Sequence, residues 1–74
     1  MLNINDFKKN MEILESAFGY DMPVKRVEVY YKTLSPMFTG DRFAVVVNDL
    51  MMTCRRFPSI ADFMEAKQGT KNLL

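Results

Sequence analysis

Cys54-Arg55-Arg56-Phe57-Pro58-Ser59-Ile60-Ala61-Asp62-Phe63-Met64-Glu65-Ala66 closes one helix and opens another within a few residues. Pro58 lacks an amide proton and biases Phe57 away from helical dihedrals, so a helix arriving from the N-terminal side must stop here. Arg55 and Arg56 put positive charge where a helix exposes its last carbonyls. Ser59 offers a hydroxyl to the free amides of the next turn, and Asp62, three residues on, is placed to reach back as a capping box. Ile60, Phe63 and Met64 then recur at helical spacing. The stretch predicts a tight corner, anchored in the core by Phe57, that docks a short apolar helix. Phe57, Pro58, Ser59 and Asp62 are its structural residues.

Outward from the corner, three more helical patterns precede it. Phe7, Met11, Leu14 and Phe18 form an amphipathic stripe, with Asn5 as its cap, Asp6 in its first turn and Gly19 at its end. Asp21-Met22-Pro23 opens a second helix, with Pro23 where a missing amide costs little. Its stripe is Val24, Val27, Tyr31 and Leu34, and Ser35-Pro36 ends it. Thr39-Gly40-Asp41 opens a third, carrying Phe43, Val46, Val47, Leu50 and Cys54 on one side. Val45-Val46-Val47 alone would read as a strand, but its flanks continue the helical period.

The expected fold is all-α, a compact single-domain bundle of about four short helices over residues 5–18, 23–34, 40–55 and 59–67, with a frayed tail over 70–74. Asp6, Asp21, Asp41 and Asp62 lie near the four amino ends. Lys32, Arg55-Arg56 and Lys67 lie near three carboxyl ends. Each placement complements the helix dipole by about 0.3–1 kcal/mol.

A chain of 74 residues without a linker-like stretch is one small domain. Its 49% hydrophobic and 26% charged residues are ordinary for a globular protein and argue against disorder. A net charge of +1 provides no strong field for nucleic acid or an anionic membrane, and the basic residues mass only as Lys8-Lys9, Lys25-Arg26 and Arg55-Arg56. The lone Cys54 excludes an internal disulfide. No apolar run is long enough to span a membrane, and no signal-peptide pattern opens the chain, so the expected home is a reducing cytoplasm.

Chemistry is sparse. Without histidine the chain lacks both the usual near-neutral acid–base group and the commonest metal ligand. One cysteine without histidine makes neither a thiol–imidazole pair nor a structural zinc site. Its three glycines form no phosphate loop. Glu12 and Glu15 read as a solvated face of the first helix. The expectation is a protein with no catalytic residues, no metal and no cofactor.

Projection of the helices leaves four apolar residues off the main stripes: Ile13, Val29, Val45 and Met52. Val45 and Met52 are seven apart and share a face with Asn48, Asp49, Arg55 and Arg56. Either the third helix is central and packed on two sides, or this face is an apolar strip with a charged rim, the make-up of a protein interface. The candidate partner-binding residues are Val45, Met52, Arg55 and Arg56, with Val29 and Tyr30 as a second locus. Of the adjacent Tyr30 and Tyr31, one points inward and the other lies at the edge. Among the seven methionines, Met11 and Met64 fit core stripes, whereas Met22, Met37, Met51 and Met52 fit either environment.

Three segments in series carry a resemblance: Ala17-Phe18-Gly19-Tyr20, Val27-Glu28-Val29-Tyr30-Tyr31-Lys32-Thr33-Leu34, and the run from Leu50 through the Phe57-Pro58-Ser59 corner to Phe63. Together the chain resembles the N-terminal domain of phage-encoded loaders and inhibitors of replicative DNA helicases, over roughly residues 7–65. The resemblance implies an all-helical, non-catalytic domain whose partner is the replicative helicase or its loading partner. In that family a flexible tail after the helical domain contributes much of the contact, and this chain ends at Leu74. Inhibition is therefore expected ahead of loading. Two alternatives stand beside it: an inhibitor of another host or defence machine, and a helix-turn-helix DNA-binding domain built on the second and third helices. Against the latter, the would-be recognition helix opens with Asp41 and carries only Arg42 as an early base. Self-association into a homo-oligomer is a further use for such a face.

Overall fold

The computed structural model describes residues 2–72, with side chains through residue 68. Four helices follow one another: α1 (Ile4–Phe18), α2 (Val24–Leu34), α3 (Gly40–Thr53) and α4 (Ile60–Asn72). A 3-10 turn, Ser35–Met37, prolongs α2, and no strand occurs among the described residues. The protein is an all-α bundle, as its caps and stripes predict. No described helix is long and apolar enough to cross a membrane.

The capping chemistry of the corner forms in both directions. The Ser59 amide donates to Asp62 Oδ2 at 2.8 Å, and the Asp62 amide donates to Ser59 Oγ at 3.2 Å. Two free amides at the start of α4 are thereby satisfied. Thr39 caps α3 by accepting from the Arg42 amide at 3.3 Å. Gly19 ends α1 in the left-handed region at φ 62°, where a side chain would strain the backbone. At the entry to α3, a Cβ on Gly40 would come within 2.7 Å of Asp6 Oδ2. The Asp6 carboxylate therefore stands against the amino end of α3 as well as in the first turn of α1.

Several expected details are corrected. The cap of α1 is Asn3, not Asn5: Asn3 Oδ1 accepts from the Asn5 amide at 2.7 Å. The chain is already fixed at that point, because Leu2 is buried and its amide donates to the Ser35 carbonyl. Pro23 is the cap residue of α2 rather than its first residue, so Asp21 lies outside the first turn. The Met22 amide is held instead by Glu15 Oε2 at 2.8 Å, which takes Glu15 out of the solvated face. α3 ends at Thr53, with Cys54 as its cap, so Arg55 and Arg56 lie beyond its last turn. α4 runs through Gly69 to Asn72, where fraying was expected from residue 70; residues 73–74 lie outside the described residues. Lys67 is consequently mid-helix, and its ammonium stands 5.5 Å over the Phe38 ring instead of closing a helix end.

The core is centred on Phe43 of α3, which is fully buried. Its ring stacks on Phe63 of α4 at 5.6 Å and 9°, and on Phe7 of α1 at 5.7 Å. Phe38 meets it edge-on at 5.5 Å. α3 thus packs on both α1 and α4. α2 joins through Tyr30, whose ring meets Phe63 at 6.2 Å and whose hydroxyl donates to the Pro58 carbonyl at 3.1 Å. Phe57 is half-buried rather than fully enclosed. It nonetheless collects Phe18 at 6.2 Å, Tyr20 at 4.7 Å and Tyr30 at 6.5 Å. The Cα extents of 35 × 27 × 18 Å leave room for helices only about two deep, given interaxial distances of about 8–10 Å.

The corner generates a direct expectation. Phe57→Ala should lose about 2–3 kcal/mol, below the range of about 3–5 for a fully buried phenylalanine because the ring is partly solvated. Ser59→Ala should lose about 1 kcal/mol through the missing cap. Urea unfolding of both variants measures this, and unchanged midpoints would show that the corner does not hold the bundle together.

Candidate functional site

The residues left outside the core define the surface. Exposed large apolar side chains are Ile4, Ile13, Val24, Val29, Val45 and Met52, with Met52 the most open at 79% and Val45 at 52%. On α3 the core takes Phe43, Val46, Val47 and Leu50, and this arc fixes the orientation of the rest of the helix. Val45 and Met52 then fall together on the outer face, beside exposed Asn48 and Asp49. Asn48 Nδ2 lies 4.0 Å from Met52 Sδ, a weak contact along the strip. Arg55 and Arg56, both exposed, follow in the bend beyond Cys54. Asn48 and Asp49 share the strip as the sequence places them, whereas the helical face expected to include Arg55 and Arg56 ends at Thr53; the two-sided packing of α3 does not extend to Val45 or Met52.

The second expected locus divides. Val29 is 55% exposed, whereas Tyr30 is buried, with its hydroxyl on the Pro58 carbonyl. Tyr30 is thus the inward tyrosine and is withdrawn as a contact residue. Tyr31 is half-buried at the edge; its hydroxyl donates to the Leu2 carbonyl at 3.0 Å and its ring meets Phe7 at 5.1 Å. Val29 remains in a shallow depression with Pro23, Lys25 and Arg26. Arg26 also donates to the Tyr20 hydroxyl at 3.0 Å.

A third surface has no counterpart in the sequence reading. Of the stripe expected to face the core, Leu34 is buried, Val27 and Tyr31 are half-buried at the core's edge, and Val24 turns outward because Tyr30 takes the inward position. Val24, about 120° around the helix from Tyr30, is 74% exposed. With Ile4 of α1 this side of α2 encloses a groove of about 300 Å³, bordered by Lys8, Glu28 and Lys32. The signal was present as two apolar stripes on one short helix, of which only one can face a core two helices deep.

The remaining chemistry is meagre. No group of histidine, cysteine or acidic residues among the described residues is arranged to hold a metal ion. Cys54 is a free, half-buried thiol. Glu12, Glu15 and Asp21 line an open depression near Gly19, but Glu15 is already engaged with the Met22 amide. Comparison with protein-family models, with curated proteins and with solved structures gave no match in any of the three.

Burial raises the Tyr30 hydroxyl pKa above its ordinary value; the Arg26 charge works against this, and Tyr20 and Asp62 add to it. The neutral phenol is therefore favoured in the folded state. Its contribution to stability is complete below the unfolded tyrosine pKa of about 10 and is lost as pH rises through the folded value. Unfolding free energy should fall above about pH 10, and Tyr30→Phe should flatten that fall while losing about 1 kcal/mol at neutral pH. An unchanged alkaline slope in the variant would place Tyr30 at the surface.

Proposed function

We propose that this domain is a non-catalytic protein-binding module of a phage or prophage, which uses the outer face of α3 to engage a bacterial replicative DNA helicase or its loading partner and to inhibit it. The observation that carries the binding role is the exposure of Met52 and Val45 on one helix face, with exposed Arg55 and Arg56 in the bend that follows the helix. Leaving a large apolar side chain in water forgoes about 1.5–3 kcal/mol of burial, which association with a partner recovers. An apolar centre with a charged margin is the composition of an interface core and rim.

The target rests on the resemblance of three segments to helicase loaders and inhibitors. Those segments supply Phe18 and Tyr20, Tyr30, and Phe57, and their rings meet around Phe57. The similarity therefore runs through residues that shape the bundle, while the outer face of α3 gives this chain its own contact surface. Duplex DNA is a weaker fit, because the exposed face of α3 carries Asp41 and Asp49 and the net charge is only +1.

Binding to a purified bacterial replicative helicase, alone and with its loader, tests the reading by interferometry, and the helicase's unwinding rate reports inhibition. Met52→Asp should weaken association by about tenfold or more, since a charge desolvated without a partner is costly, while leaving the thermal midpoint unchanged at this exposed site. Arg55→Glu and Arg56→Glu should slow association in a salt-dependent manner. Absence of binding, or capture of a different host protein from lysate in its place, would replace the helicase assignment. Tight, sequence-selective binding to duplex DNA at physiological salt would replace the protein-binding role altogether.

A further inference from the structure

The groove between α1 and α2 is lined mainly by apolar side chains, and nothing in the α3 reading uses it. Ile4 contributes from α1, and Val24, Val27 and Tyr31 contribute from α2. Its volume of about 300 Å³ lies at the lower limit of the range of about 300–1,000 Å³ for ligand pockets. A small polar ligand would find little to orient it, because the Tyr31 hydroxyl is already committed to the Leu2 carbonyl. Apolar side chains suit the lining better. The margin is basic on both sides, with Lys8 on α1 and Lys32 on α2, and Glu28 offsets one of the two charges.

We propose that this groove is a second docking site, for a short segment of a partner protein in which a large apolar anchor is flanked by acidic residues. Charge complementarity selects the occupant: carboxylates beside the anchor would meet Lys8 on one wall and Lys32 on the other. The α3 strip of a second copy is a poorer fit, because its Asp41 and Asp49 are offset by Arg55 and Arg56, whereas a segment whose carboxylates are not offset matches the basic margin better. The two faces lie on different helices, which gives the domain the means to hold two partner segments, or two parts of one partner, at once.

Selection of short random peptides displayed against the whole chain tests the proposal. Enriched peptides should pair Leu, Ile, Phe or Trp with neighbouring Asp or Glu. A synthetic member should bind the double variant Lys8→Glu, Lys32→Glu and the variant Val24→Asp about tenfold or more weakly, while Met52→Asp binds it unchanged. Val24 is 74% exposed, so Val24→Asp should keep the native thermal midpoint, and the lysine pair tests the site without touching the apolar lining. The Met52→Asp arm separates this site from the α3 face, so either can fail alone. No enrichment, enrichment of basic peptides, binding indifferent to Val24→Asp, or sedimentation showing copies paired through the groove would each overturn it.

Discussion

Everything in this bundle is arranged around the Phe43 ring. Among the described residues it is the one side chain stacked on both α1, through Phe7, and α4, through Phe63. A chain of this length buries only about 60% of the surface its unfolded form exposes, so it has room for one such cluster and no more. α2 meets this cluster edge-on, through Tyr31 against Phe7 and through Tyr30, which reaches both the Phe63 ring and the Pro58 carbonyl. The corner at Phe57-Pro58-Ser59 is what brings α4 back to receive both contacts.

The surfaces follow from that economy. Once Phe43, Val46, Val47 and Leu50 face inward, the remaining arc of α3 has no neighbour, and Val45 and Met52 occupy it. Once Tyr30 and Leu34 face inward, the other flank of α2 is left to form a groove with α1. A bundle about two helices deep cannot cover all the apolar stripes its sequence encodes. Those uncovered stripes are the surfaces on which the proposed binding role rests.

Signals confined to a few residues were legible in the sequence. The Ser59–Asp62 box forms as written, and α3 opens at Thr39 and α1 ends at Gly19 as read, because each signal depends on chemistry within about one turn. That Val45, Met52, Val29 and Ile13 lie off the stripes was legible in the helical period, but whether they were exposed or packed on a second side was not; they are exposed. What depended on tertiary contacts was not. Choosing Tyr30 over Tyr31 as the inward ring requires knowing where Pro58 lies, twenty-eight residues away. Asn3 displaces Asn5 as cap because Leu2 is held by Ser35. The engagement of Glu15 with Met22 spans a turn whose path no periodicity encodes. The extension of α4 past Gly69 shows a weak helix former carried by the residues around it.

Methionine side chains provide the most direct reading of the central claim, because thioethers oxidise readily where solvent reaches them. Hydroxyl-radical footprinting of the domain, free and mixed with the proposed helicase partner, compares Met52 with the buried Met11 and Met22 and the half-buried Met51 in one experiment. The account predicts that Met52 oxidises fastest of the four in the free protein and is strongly protected in the complex, while the other three keep their rates. Slow oxidation of Met52 in the free domain, or an unchanged rate in the complex, would contradict it.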